Sequence, residues 1–369
     1  MSLTLIIAGG GTGGHVFPGI ALAEAFLALV PGGRVSFVGT EGGLEARAVP
    51  ARGYAIDFVP SGPVSGKGAG GLLGMGRMMK GVAVAFAVLR RRRPDMVFGV
   101  GGYASVPVSL AAVMTGIPLF LQEQNAVPGR ANRILGRIAR KVYAGFGGAA
   151  AYFPAGRTEV AGNPVRREVA AASGKATAAR PGTPFTVFAL GGSQGARAIN
   201  GLVLEMGRRV KKEGLPMAFV LQTGAGEFAP AQTAIREEGL PVEPFPFTDR
   251  IGEIFSRCDA VLMRAGALSI AEAALFGKPC VLVPYPFAAD RHQEKNAMEF
   301  CAGGAGVWIR QEEATGEKIL STLSSWAADP AAREAAGRAA EGFSRPDAAE
   351  RIVRSALRGI GKGREDSRV

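Results

Sequence analysis

The chain has 369 residues, 47% of them hydrophobic, with 54 glycines and a formal net charge of +12. That length and apolar content exclude a disordered chain and fit two domains, each with its own core. Three cysteines without metal-ligand spacing (Cys258, Cys280, Cys301) exclude a disulfide scaffold, no apolar run is long enough to cross a bilayer, and the cationic excess calls for an anionic partner: nucleic acid, an acidic membrane surface or a phosphorylated substrate.

The apolar run 3–8 predicts a buried strand at the N-terminus, which argues against a secretory leader and for the cytosol. Further strands are predicted at 35–38, 57–59, 96–99, 118–122, 141–144 and 159–161, with helical patterns between them at 18–30, 43–52, 70–93, 106–115 and 129–139. Short runs bounded by glycine or proline and alternating with helices read as a parallel, doubly wound sheet. A polar, breaker-rich stretch at 163–184 is expected to be a linker. The pattern then restarts, with strands at 185–190, 217–222, 242–246, 260–263, 280–283 and 306–309. Helices are expected at 196–213, 228–238, 251–258, 268–276, 290–302 and 316–328, and 331–360 reads as helical. The expected division is an N-terminal domain over 1–162, a C-terminal domain over 185–345, and a C-terminal helix and tail over 346–369 that return to the N-terminal domain.

Each half opens with a glycine-rich turn after its first strand: Gly9-Gly10-Gly11-Thr12-Gly13-Gly14-His15 and Gly191-Gly192-Ser193-Gln194-Gly195-Ala196. Such turns leave amide N–H groups unpaired at a helix N-terminus, where they attract phosphate. Gly9, Gly11 and Gly14 meet the dinucleotide spacing, but the acidic residue that should close the second strand is poorly placed, with only Glu41 nearby. His15, one of two histidines, follows the first turn, where a neutral imidazole suits proton removal; a histidine that merely shapes the turn is the alternative. Ser193 suits a diphosphate or a simple N-cap. A third turn, Arg264-Ala265-Gly266, opens the helical run Ala267-Leu268-Ser269-Ile270-Ala271-Glu272, whose Glu272 can accept from two vicinal hydroxyls or pair with the helix dipole. Gln293 and Asn296 share a face after Pro284-Tyr285-Pro286, and Gln122-Glu123-Gln124-Asn125 puts four polar side chains at the end of a buried strand, with Asn125 able to bond a sugar. Along 70–93, Leu72, Leu73, Met75, Met79 and Phe86 are edged by Lys80 and the run Arg90–Arg93, as a helix dipping into an anionic membrane interface would be; a core-facing helix is the alternative.

These motifs together resemble the MurG family of peptidoglycan glycosyltransferases. The resemblance runs through GGTGGHVFP from Gly10, GGYAS from Gly101, Glu123-Gln124-Asn125, GNPVR from Gly162, GGSQGA from Gly191, Arg264 to Glu272, and Asp290 to Asn296, so it spans nearly the whole chain. It implies two Rossmann-like doubly wound α/β domains facing a cleft (a glycosyltransferase-B fold) and transfer of N-acetylglucosamine from UDP-N-acetylglucosamine to lipid I at the cytoplasmic face of the membrane. By the resemblance, donor contacts fall on Thr12, Gly13, Gly14, Asn125, Arg166, Ser193, Thr248, Ala267 to Glu272 and Gln293. Thr248 stands where the family often has isoleucine and His292 where glutamine is common, and the family's Arg-Gly-Lys loop appears as Val64-Ser65-Gly66-Lys67.

The expected chemistry is one inverting displacement with His15 as general base and turn amides stabilising the leaving UDP. No two aspartates lie two apart, so the Asp-x-Asp pattern of metal-dependent transferases is missing, and neither metal nor cofactor is expected. Rival readings are a UDP-sugar transferase acting on another lipid, a UDP-sugar epimerase, an NAD-dependent oxidoreductase, and a basic nucleic-acid module, the last disfavoured because no aromatic stacking surface is visible.

Overall fold

The computed structural model describes residues 3–62, 69–173, 183–192, 195–248 and 250–361. The chain divides into two compact units, the first comprising Met1–Arg166 with Arg345–Val369 and the second Arg167–Ser344.

In the first unit β1 (Thr4–Gly9), α1 (Gly13–Leu29), β2 (Arg34–Gly39), α2 (Glu45–Ala48), β3 (Ala55–Phe58) and α3 (Ala69–Arg92) are followed by β4 (Met96–Gly101), α4 (Ser105–Met114), β5 (Leu119–Glu123), α5 (Arg130–Leu135), β6 (Lys141–Ala144) and β7 (Thr158–Val160). The sheet is wholly parallel in the order β3-β2-β1-β4-β5-β6-β7. Every residue of β1 and β4 is buried, because helices cover both faces of a parallel sheet. Alternate residues serve opposite faces: Leu5, Ile7, Phe98 and Phe120 join one cluster, Ile6, Ala8, Val97 and Leu121 the other.

The second unit holds α6 (Arg167–Ser173), β8 (Phe185–Leu190), α7 (Arg197–Glu213), β9 (Met217–Gln222), α8 (Phe228–Glu238), β10 (Val242–Phe245), α9 (Ile251–Arg257) and β11 (Ala260–Met263), then α10 (Ala267–Leu275), β12 (Cys280–Leu282), α11 (His292–Ala302), β13 (Gly306–Trp308), α12 (Gly316–Ala328) and α13 (Pro330–Phe343). Its sheet, also parallel, runs β10-β9-β8-β11-β12-β13. Both sheets therefore reverse their winding beside their first strand, at β1/β4 and at β8/β11.

Three expectations change. The chain read as a linker contains α6, which packs on α9 and α10, so the second unit begins well before Phe185. The segment 331–360, read only as helical, is two helices, α13 and α14 (Ala348–Gly359), interrupted by Ser344-Arg345-Pro346. Proline removes a donor and pushes its predecessor out of helical backbone. The helix expected at 18–30 starts at Gly13 and carries Pro18 inside it.

Helix α14 belongs to the first unit. Its stripe of Ile352, Val353, Ala356 and Leu357 is buried in the cluster beneath α1. Complete burial of each large aliphatic side chain contributes about 1.5–3 kcal/mol. A polar clasp adds to this: Glu159 accepts from Arg351 Nε at 3.2 Å and from Ser355 Oγ at 2.9 Å, and Lys141 pairs with the same carboxylate. Partial burial pushes the Glu159 carboxyl upward, but its bonds to Lys141, Ser355 and Arg351 outweigh that and hold it below the usual range.

Candidate active site

Open parallel sheets bind ligands beyond the carboxyl ends of their strands, where the winding reverses. In the first unit that point is the turn from β1 to α1, beside the end of β4. The ladder slips between Ala8 and Gly9, and the Gly10 amide donates to the Gly101 carbonyl at 3.2 Å. His15 lies in the first turn of α1 with its ring against Gly101. A Cβ on Gly101 would sit 2.7 Å from the His15 Cε1 and Nδ1, so only glycine admits the ring.

The ring is held from behind. His15 Nδ1 lies 3.1 Å from Gln124 Oε1, and Gln124 Nε2 donates to the Val100 carbonyl at 2.8 Å and to Gln122 Oε1. Gln122 Nε2 donates to Asn163 Oδ1 at 3.1 Å, and Asn163 Nδ2 donates to the Gln124 carbonyl at 3.0 Å. All three amide side chains are buried. The GNPVR segment thus supplies Asn163 to this network.

Two buried carboxylates shape the neighbouring turns. Glu45 accepts from the Gly11 amide at 2.6 Å and from the Thr40 amide and hydroxyl at 2.9 and 2.8 Å. A Cβ on Gly10 would fall within 2.3 Å of that carboxylate, so the turn's glycine allows the close approach. The acid that meets the first glycine turn is therefore Glu45, while Glu41, the candidate for the acid closing the second strand, is exposed. Glu123 accepts from the Asn125 and Gly129 amides at 2.9 and 3.2 Å and from Asn132 Nδ2 at 2.9 Å. Burial pushes its carboxyl up, opposed by these donors. Glu123 fixes the loop that carries half-buried Asn125. Thr12 caps α1 in extended backbone and is exposed, as is Gly14, while Gly13 is buried. Arg166 is buried with its guanidinium 5.2 Å from the Phe17 ring.

In the second unit the carboxyl edge is shaped by bonds to main-chain carbonyls. Asn200 Nδ2 donates to the Thr223 carbonyl at 3.0 Å behind the turn that opens α7. Ser193 and Gln194 themselves lie outside the described residues, as does 64–67. Arg264 donates to the Val283 and Pro284 carbonyls at 3.0 and 3.1 Å, and fully buried Asn296 donates to the Ala265 carbonyl at 3.1 Å. These bonds hold the turn from β11 to α10, whose first residues are Ala267, Leu268, Ser269, Ile270 and Ala271; Glu272 follows, 7% exposed. Gln293 Oε1 accepts from the Tyr285 amide at 2.9 Å, tying α11 to the Pro284–Pro286 loop. Thr248 is half-buried after β10, and its hydroxyl accepts from the Arg250 amide at 3.0 Å. His292 Nδ1 lies 2.8 Å from the Ala289 carbonyl.

Helix α3 buries Ala85, Val88 and Leu89 and exposes Met75 (56%), Met79 (69%) and Phe86 (36%), which recur on one face, with Lys80 exposed nearby. The side chains of Leu72 and Leu73 lie outside those described. In the basic run, Arg92 Nε pairs with Asp57 at 2.9 Å and Arg91 with the other oxygen of the same carboxylate, so part of that charge is neutralised. No described helix is long and apolar enough to cross a membrane.

The chain matches the model of the glycosyltransferase family 28 N-terminal domain over residues 5–144 and that of the family 28 C-terminal domain over 186–352. It belongs to glycosyltransferase family 28. Among the family's members, a UDP-N-acetylglucosamine–N-acetylmuramyl-(pentapeptide) pyrophosphoryl-undecaprenol N-acetylglucosamine transferase of Geobacter metallireducens is 39% identical over 95% of this chain and 97% of its own length. A protein of the same name from Anaeromyxobacter dehalogenans is 40% identical over 95% of this chain and 91% of its own. The crystal structure of Acinetobacter baumannii MurG superposes with a TM-score of 0.79 at 26% identity, covering 96% of this chain and 99% of that one. The two doubly wound α/β units are thus the glycosyltransferase-B architecture of this family, and the oxidoreductase and nucleic-acid readings fall away.

Sequence reasoning missed the roles of Glu45, Gln124, Asn163 and Gly101. The visible signal was polar residues closing a buried strand, Gln122 to Asn125, and glycine pairs at two strand ends.

Proposed function

We propose that this family 28 glycosyltransferase moves N-acetylglucosamine from UDP-N-acetylglucosamine to the C4 hydroxyl of the muramyl sugar of lipid I, forming lipid II. The observation that carries the reading is similarity along almost the whole of both chains to transferases whose names state that donor and acceptor class.

The chemistry follows from the two sheet edges. On the first unit, His15 takes the proton of the attacking hydroxyl as that oxygen bonds to the anomeric carbon. The bond from that carbon to the β-phosphate oxygen breaks with inversion, and UDP departs with the electron pair. On the second unit, the N-termini of α7 and α10 supply positive main-chain dipoles for the diphosphate. Glu272, one turn into α10, accepts from the ribose hydroxyls; the main chain near Thr248 reads the uracil, and Gln293, Asn125 and Arg166 contact the sugar or phosphates. Thr12, Gly13 and Gly14 lie beside the base at the start of α1. Those dipoles take the place of a cation, so turnover persists in chelator.

The exposed Met75, Met79 and Phe86 with Lys80 suit a peripheral hold on an anionic membrane, the cytoplasmic face where a lipid-linked acceptor resides. The deciding experiment is UDP release from UDP-N-acetylglucosamine in chelator, with and without a lipid I analogue. Acceptor-dependent release supports transfer; sugar interconversion without acceptor indicates an epimerase. His15→Ala is expected to lose about 10²–10⁴-fold in kcat, and full turnover in that variant removes the base assignment.

A further inference from the structure

We infer that Gln124 is a positioning residue that sets the tautomer of His15, placing the ring proton on Nδ1 and the lone pair on Nε2. The inference rests on the reading of His15 as the base.

The argument turns on which way the Gln124 amide faces. Its nitrogen is 2.8 Å from the Val100 carbonyl oxygen and also meets Gln122 Oε1, both obligatory acceptors in this arrangement. Turning the amide over would bring oxygen against oxygen at both contacts and bury two unpaired acceptors, each costing about 1–3 kcal/mol. Gln122 is in turn oriented by its own nitrogen donating to Asn163 Oδ1, and Asn163 by its nitrogen donating to the Gln124 carbonyl. Every donor in the chain therefore points away from the histidine, and the group facing the ring is an oxygen. At 3.1 Å from Gln124 Oε1, Nδ1 must be the donor. A neutral imidazole with Nδ1–H carries its lone pair on Nε2, the nitrogen at the far end of the ring from the buried amides. Free imidazole side chains favour the other tautomer, so the buried amides oppose an intrinsic preference. A carboxylate commonly performs this orienting task for catalytic histidines. Here neutral amides do it, so the ring is oriented with no buried negative charge at that contact to favour imidazolium.

The test exploits the presence of only two histidines. Nitrogen-15 spectra of histidine-labelled full-length protein, recorded where the imidazole is neutral and assigned with His292→Gln, report which ring nitrogen is protonated. The wild type is expected to show His15 protonated at Nδ1. Gln124→Met should shift the proton toward Nε2 and lower kcat on the order of 10²-fold, with KM for the donor within about threefold. Gln122→Met, which only releases the orienting group, should give a mixed tautomer and a smaller loss. A wild-type ring protonated at Nε2, or a Gln124→Met protein with unchanged tautomer, overturns the inference. Full turnover in His15→Ala with a wild-type Nδ1–H signal instead overturns the base reading and leaves the tautomer assignment standing.

Discussion

The carboxyl edges of the two sheets share a strand order but use their buried polar groups differently. In the first unit Gln122, Gln124 and Asn163 bond chiefly to one another and converge on one side chain, His15. In the second unit Asn200, Arg264 and Asn296 donate to main-chain carbonyls and converge on turns that open helices. One edge orients a titratable ring, whereas the other orients peptide dipoles. Under the mechanism proposed above, the same doubly wound scaffold would serve proton transfer on one unit and anion binding on the other, because its reversal point offers both a helix N-terminus and a strand end to decorate.

That contrast makes kinetic predictions of different kinds. Among the substitutions that probe this contrast, the largest effect is expected for Gly101→Ala, whose new methyl would collide with the His15 ring at 2.7 Å in backbone of φ +97°. Its kcat should fall about 10²–10³-fold with little change in donor KM; a pure KM effect would break the division of labour. Glu272→Gln tests the other edge: donor KM should rise roughly 10- to 100-fold as a charge-assisted bond weakens, with kcat nearly unchanged. Glu45→Ala removes the buried carboxylate that accepts from the Gly11 and Thr40 amides. Thermal unfolding should shift downward by roughly 5–10 °C, and an unchanged Tm would show that the carboxylate does not hold the turn.

The smallest effect concerns α14. The folded Glu159 carboxyl titrates below its ordinary value of 4.5, so its contribution is complete above the unfolded range and is lost as pH falls through the folded value. Wild type should therefore exceed Glu159→Gln in stability at pH 7, with the gap closing under acid. Equal acid profiles for the two proteins would remove the clasp from the account of how α14 is held.

Much of the fold was legible because a parallel strand covered on both faces reads as an uninterrupted apolar run. Leu5 to Ala8, Met96 to Val100 and Val187 to Leu190 all show this. Boundaries were less legible where two signals conflict. Pro18 looked like a helix start, yet helix extends back to Gly13, and α6 hid in a polar stretch whose buried face reduces to Val169. His15 stood out because its residue type and its place after a glycine turn both speak in one dimension. Gln124 did not, because its meaning depends on Val100, Gln122, Asn163 and His15, three of them from other segments of the chain.

The amino-acid sequence by itself determined the two α/β repeats, the glycine turns at their first strands, the histidine after the first turn and the family to which these motifs belong. Periodicity and turn chemistry are local properties, carried within a few residues. Only the tertiary structure decided that Glu45 occupies the Gly11 amide, that Gly101 makes room for the imidazole, and that a run of buried amides faces an oxygen toward Nδ1. Those are matters of hydrogen-bond direction and close approach, which exist only after distant strands lie side by side.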